Sequence, residues 1–288
     1  MRSKLFVPGV RPELFAKALA GDADALSLDL EDSVPEARKQ EARAYVSAFV
    51  QSAAMRASSK LVVVRVNALD TPYLAEDLGA VVHHGVGLVN LPKVESAQDV
   101  LAAVALLERA EAANGVASPT GLLATIETPR GLRRAAEIAA AHPRVAGLQL
   151  GLADLFEPHG IERGDPANLH AVLFAVRMAA AEAGVPAWDA AFADFADEQG
   201  FRVEAGMARR LGYLGKSCIH PRQVALANEV FMPDAAQIAL ARRIVAGARE
   251  AEQAGRGAFV IDGRMVDLPF LKRAEALLAS IDSNPSKP

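Results

Sequence analysis

Glu127 and Asp154 each stand just past an apolar run, in Leu122-Leu-Ala-Thr-Ile-Glu127 and Val145-Ala-Gly-Leu-Gln-Leu-Gly151-Leu-Ala-Asp154, and Arg65 ends a third in Leu61-Val-Val-Val-Arg65-Val-Asn67. Strands buried on both faces of a parallel sheet read as such near-continuous apolar segments. An acid at the end of one is carried to the C-terminal edge of the sheet, where α/β folds keep their chemistry. Either acid alone could instead cap the helix that follows it. Together with one fixed guanidinium, the pair suits a divalent cation that holds an anionic oxo-acid. Other strand ends add Asp29-Leu-Glu31-Asp32, Asn67 and Lys93-Val-Glu95. So many acids at one mouth raise one another's pKa unless a cation is bound. Mg2+ is the cation expected, because zinc would want the His or Cys that these strand ends lack.

The elements that must position these residues alternate along the chain. Strand-like segments at 4–7, 25–30, 61–66, 87–91, 122–126, 145–150, 186–190 and 214–218 are each followed by a stretch of helical composition. Eight βα pairs predict a (β/α)8 TIM barrel, an α/β fold. Segments 35–55, 97–113 and 130–141 carry Ala-rich faces with periodic Leu, Val and Ile, as outer-ring helices should. The regularity stops near Phe231-Met-Pro233. A helix over 235–254, a Gly255-Arg-Gly257 break, a hairpin over 258–267 and a helix over 269–281 follow, then a short polar end at 283–288 expected to fray. The expected division is therefore a catalytic barrel over 1–232 and a helix-hairpin-helix extension, or lid, over 233–288.

Composition bounds the function classes. With 31 basic and 35 acidic residues among 288 and no block of like charge, nothing marks a nucleic-acid or membrane footprint. The chain turns at Pro8-Gly9 before a signal-peptide stretch could form, and the expected compartment is the cytoplasm. Cys218, the one cysteine, reads as a reduced, partly buried thiol rather than a nucleophile. Histidines 83, 84, 142, 159 and 170 fall in loops or on helices and read as solvated or structural; His220, after the eighth strand, reads as a polar plug for its loop.

The chain resembles the citrate lyase beta-subunit and malyl-CoA lyase family. Seven motifs in order carry the resemblance: Leu5-Phe-Val-Pro-Gly9 with Arg11 and Pro12, Leu28-Asp-Leu-Glu-Asp32, Arg65-Val-Asn67, Leu91-Pro-Lys-Val-Glu95, Ile126-Glu-Thr128, Gly151-Leu-Ala-Asp-Leu155 and Gly215-Lys-Ser-Cys-Ile-His-Pro221. It implies a TIM-barrel lyase, usually trimeric, that makes or breaks a carbon–carbon bond in 3-hydroxy-dicarboxyl-CoA thioesters such as malyl-, citramalyl- or citryl-CoA. By the same resemblance Glu127 and Asp154 hold Mg2+, Arg65 binds the substrate carboxylate, and Glu31 and Asp32 support them. Phe6, Arg11 and Lys17 fall on positions that hold coenzyme A, and Asp267 on an aspartate that reaches a neighbouring subunit's site. Many members carry an acid where this chain has Ala153, which touches subfamily and substrate rather than the metal.

Retro-aldol cleavage needs a base for the hydroxyl proton, a sink for the thioester enolate and something to polarise the nascent carbonyl. Mg2+ on Glu127 and Asp154 with Arg65 beside it meets the last requirement, and Asp267 in a glycine-hinged hairpin is the candidate acid/base. Lys93 and Lys216 are rival Schiff-base lysines, which the surrounding acids disfavour. Rival functions are hydrolysis of the same thioester, a citrate lyase subunit dependent on an acyl carrier, a metal-dependent aldolase acting on free oxo-acids without coenzyme A, and a non-catalytic binding protein.

Overall fold

A computed structural model describes residues 1–282, so the polar end at 283–288 lies outside the described residues. Eight parallel strands form at Ser3–Pro8 (β1), Ala25–Asp29 (β2), Leu61–Arg65 (β3), Val86–Leu91 (β4), Gly121–Ile126 (β5), Val145–Leu150 (β6), Ala187–Trp188 (β7) and Lys216–Cys218 (β8). From β1 to β7 each pairs with its sequence neighbours, and β1 also pairs with β8. The β7–β8 seam closes through a single parallel bridge, Asp189 to Lys216, backed by the Ser217 N–H on the Asp189 carbonyl at 3.1 Å. The fold is therefore the (β/α)8 barrel.

The strands form where the sequence offers apolar, β-branched runs buried on both sides, as in β3, where Val62, Val63 and Val64 are fully buried. The outward residues join one large core with the helix faces; Val100, Val104 and Leu107 of the helix Ala97–Asn114 belong to it. Two helices expected as continuous are broken. The 35–55 segment divides into Lys39–Val50 and Ala53–Ala57, with Ser52 capping the second, and the 130–141 segment divides at Arg134. Ser52 offers its hydroxyl to the Met55 N–H, which starts a new helix rather than continuing the old one.

The chain forms two compact units, Met1–Phe231 and a second that starts at Met232. The second unit consists of the helix Ala235–Gln253, an antiparallel hairpin of Phe259–Ile261 (β9) and Arg264–Val266 (β10), and the helix Leu268–Asp282. Asp262 and Gly263 at the hairpin tip have φ of 52° and 74°, the left-handed pair that an Asp-Gly turn supplies. Its own small core gathers Ala241, Ile244, Val266 and Ala274. No helix among the described residues is long and apolar enough to cross a membrane.

Candidate active site

A cavity of about 460 Å³ opens at the C-terminal ends of the strands and takes Phe6, Asp29, Arg65, Glu127 and Asp154 into its lining. β2 and β3 place Asp29 and Arg65 side by side in register. The guanidinium closes a two-bond fork on that carboxylate, Nε to Oδ1 and Nη2 to Oδ2, both at 2.7 Å. Its remaining nitrogen, Nη1, lies 2.9 Å from Glu31 Oε2 and 3.3 Å from Asp32 Oδ2. Burial pushes the Asp29 carboxyl up, but the Arg65 charge and its hydrogen bonds outweigh that and hold it below the ordinary carboxylate range. Glu31 goes the other way, raised by burial that Arg65 and Lys93 only partly offset.

Glu127 is buried beyond the end of β5, and its Oε1 accepts the Lys93 backbone N–H at 2.7 Å. Lys93 has φ of 52°, a left-handed residue that turns this N–H onto the carboxylate. Burial, then the charges of Glu31 and Asp154, push Glu127 up to about 7. Asp154 lies in the first turn of the short helix Leu152–Phe156 with its side chain 38% exposed. Neither acid caps a helix. Thr128 accepts the Gly131 N–H at 3.0 Å to start Pro129–Arg133, and Gly151 occupies the N-cap before Leu152. Gly151 is required by close approach: a Cβ there would stand 2.6 Å from the Glu127 Cβ and overlap its carboxylate.

Lys93 reaches into the acids, with Nζ 2.7 Å from Glu31, 3.6 Å from Asp32 and 3.8 Å from Asp154. Burial works against its charge, but hydrogen bonding to Glu31 and the neighbouring carboxylates keep it protonated above the usual lysine range. It is a cation among anions, not a neutral nucleophile. Lys216 is further from that role. Fully buried, its Nζ donates to Asp189 at 2.6 Å and to Glu204 at 2.5 Å, while Arg163 clamps Glu204 from the other side.

Phe6 also lines the cavity, with its ring 4.6 Å from Lys4 Nζ and 5.0 Å from Arg65 Cζ. Arg11 and Lys17 are exposed on the segment after β1, outside the cavity lining, and Arg11 pairs with Glu13. Asp267 follows β10 in the second unit, half-buried, with Oδ1 lacking a hydrogen-bond partner. His220 caps Pro221–Val230, accepting the Arg222 N–H at 3.2 Å, and stacks on Phe195. Cys218 is buried, its thiol pushed up to about 12 by that burial.

Two residues escaped the reading of motifs. Asp29 was visible only as one of three clustered acids; its register opposite Arg65 makes it the arginine's main partner. Lys4 sits in an apolar strand and shares with Phe6 the inward face, a period-two signal that could have found it. Its Nζ donates to Asn90 Oδ1 at 3.2 Å, and burial, followed by repulsion from Arg65, lowers its pKa to about 7.

A barrel whose mouth gathers five carboxylates, Asp29, Glu31, Asp32, Glu127 and Asp154, round a half-buried arginine is an enzyme scaffold built for small anions. Residues 2–221 match the HpcH/HpaI aldolase/citrate lyase family; the chain belongs to it and is a lyase. It is 40% identical to the citrate lyase subunit beta of Escherichia coli K12 over 282 residues, 96% of this chain and 92% of that one. It is 37% identical to the L-malyl-CoA/beta-methylmalyl-CoA lyase of Cereibacter sphaeroides over 298 positions, 96% of this chain and 93% of that one. A crystal structure of CitE from Mycobacterium tuberculosis in complex with magnesium, acetoacetate and coenzyme A superposes with a TM-score of 0.75 at 35% identity, covering 98% of this chain and all of that one.

Proposed function

We propose that the chain is a Mg2+-dependent carbon–carbon lyase that cleaves, or in reverse condenses, a 3-hydroxy-dicarboxyl-CoA thioester such as malyl-, citramalyl- or citryl-CoA, yielding an acyl-CoA and a 2-oxo-acid. The observation that carries this reading is the meeting of Glu127 and Asp154 beside Arg65 at one barrel mouth. The donor set fits the cation. Two oxygen ligands suit an ion that keeps waters and substrate in its shell, and among the described residues no three His, Cys, Asp or Glu side chains form a full protein cage. The upward push on Glu127 from Glu31 and Asp154 is the repulsion a cation would relieve. The magnesium-bound CitE neighbour and the CoA-thioester lyase relative support the same assignment.

When bound, the cation would polarise the oxygen that becomes the keto group. The remaining work falls to the chain. Arg65, held by Asp29, is assigned to the carboxylate of the departing oxo-acid, which would take Nη1 in competition with Glu31 and Asp32, while Phe6 lines the cavity beside it. The hydroxyl gives up its proton, the carbonyl forms, and the electron pair of the broken carbon–carbon bond passes to the thioester enolate, which then takes a proton. Asp267 from a second copy of the chain is the assigned proton carrier; in its own unit it is half-buried and Oδ1 has no hydrogen-bond partner. Arg11 and Lys17, both exposed, are assigned to coenzyme A phosphates, and the working assembly to a homotrimer in the cytoplasm.

A screen of acyl-CoA thioesters with Mg2+, reading both free thiol and released oxo-acid, tests the proposal. Acyl-CoA and oxo-acid in equal amounts are expected. Free thiol without cleavage would mean thioester hydrolysis, and oxo-acid turnover indifferent to coenzyme A would mean a free-acid aldolase.

A further inference from the structure

The floor of the cavity is polar where most small barrels are filled with branched apolar side chains. Three of the residues that line it, Thr125, Gln149 and Ser217, are at least 95% buried. Gln149 Nε2 donates to the carbonyls of Asp189 at 2.8 Å, Leu150 at 3.1 Å and Trp188 at 3.4 Å. That fixes the amide. Turned over, it would set its oxygen against three carbonyl oxygens, so Oε1 must face away from them, and it has no partner. Ser217 is its neighbour, because its own N–H meets the same Asp189 carbonyl at 3.1 Å, and its Oγ is likewise partnerless. Thr125 stands in register with Gln149, and its hydroxyl accepts from Asn90 Nδ2 at 2.6 Å, which leaves its proton to give. Asn90 is itself committed, its Oδ1 taken by Lys4.

The floor therefore offers one acceptor that cannot become a donor, and two hydroxyls that can donate. A methyl group or hydrogen would leave these buried groups unpaired, which a site pays for in affinity. A carboxylate would set oxygen against Gln149 Oε1. A hydroxyl satisfies both sides, giving its proton to Gln149 and accepting from Ser217 or Thr125. We propose that Gln149 and Ser217 form a specificity subsite for a hydroxyl substituent, so that the preferred oxo-acid is a 2-oxo-acid with a hydroxyl on carbon 3. This rests on the lyase reading above only for the statement that an oxo-acid occupies the cavity.

The test is calorimetric binding of four probes to the Mg2+-loaded protein: glyoxylate, pyruvate, oxaloacetate and 3-hydroxypyruvate. The hydroxylated acid is expected to bind roughly ten- to a hundredfold more tightly than pyruvate, the range that one or two buried hydrogen bonds supply. Ser217→Ala and Gln149→Leu should each remove most of that preference and leave pyruvate affinity within about threefold. Ser217→Ala deletes a single oxygen, so it decides the matter if Gln149→Leu fails to fold. Equal affinity for the hydroxylated acid and pyruvate, tighter binding of oxaloacetate, a preference surviving Ser217→Ala, or no binding of any of the four overturns the subsite. A parallel condensation assay with acetyl-CoA separates the two readings: selective binding with no condensation of any acid removes the lyase assignment and leaves the subsite standing.

Discussion

Arg65 and Asp29 occupy paired positions on adjacent strands and are joined by two 2.7 Å bonds, so the orientation of the guanidinium is set by sheet register rather than by a flexible loop. Lysine would keep the charge but lose the fork. Arg65→Lys is expected to lower kcat/KM by roughly two to three orders of magnitude, and Asp29→Asn by about tenfold with a higher KM for the oxo-acid. Steady-state kinetics in the condensation direction checks both, and unchanged kinetics in Arg65→Lys would show the arginine to be purely structural.

Gly151 gives a steric test of the acid pair. Its backbone, at φ −118° and ψ 94°, is open to any residue, so Gly151→Ala introduces no backbone strain, only a methyl group against Glu127. Displacement of the carboxylate should raise the Mg2+ concentration needed for activity and cut turnover about a hundredfold while the fold persists. Circular dichroism together with a Mg2+ titration of activity separates this outcome from general unfolding.

Glu127→Gln and Asp154→Asn are each expected to abolish turnover, and exhaustive chelation should do the same to the unmodified enzyme. Glu127→Gln removes a buried charge that its surroundings oppose, so without metal it should raise the melting temperature at pH 8. Full activity after chelation would reject the metal assignment.

Lys4 gives a pH signature. The folded protein releases the Lys4 proton near 7, whereas the unfolded chain keeps it to about 10.4. Between these values the unfolded state holds more protons, so this residue makes stability rise with pH across that window, by up to a few kcal/mol. The destabilisation is fully present below 7, where the buried ammonium is charged. Urea unfolding of the native protein and of Lys4→Met from pH 6.5 to 10 should show their stability difference changing by that amount, and parallel curves would refute it.

Mixing tests the role of Asp267. Chains carrying Asp267→Ala and chains carrying Glu127→Ala should each be inactive, yet mixed oligomers should recover activity, because some sites then combine an intact metal ligand with an intact aspartate. Failure to recover activity after demonstrated subunit exchange would leave Asp267 acting within its own chain or not at all.

Hydrophobic patterning and its alternation with helical stretches placed all eight strands, because a strand buried on both faces is mostly apolar, and it put Arg65 and Glu127 at strand ends and Asp154 shortly beyond β6. The hairpin of the second unit was equally legible, since Asp262-Gly263 is one of the few dipeptides that accept two left-handed residues in succession. Local sequence could not show that Ser52 and Arg134 interrupt their helices, where a side-chain hydrogen bond or a turn competes with continuation. Nor could it show which partner each charge takes. That Asp29 holds Arg65, that Lys93 lies among the acids while Lys216 is sealed by Asp189 and Glu204, and that Gln149 and Ser217 share one carbonyl are consequences of closing the sheet. Closure brings together residues as far apart in the chain as Lys4 and Asn90, or Gln149 and Ser217, and pairings at that separation leave no local trace in composition or period.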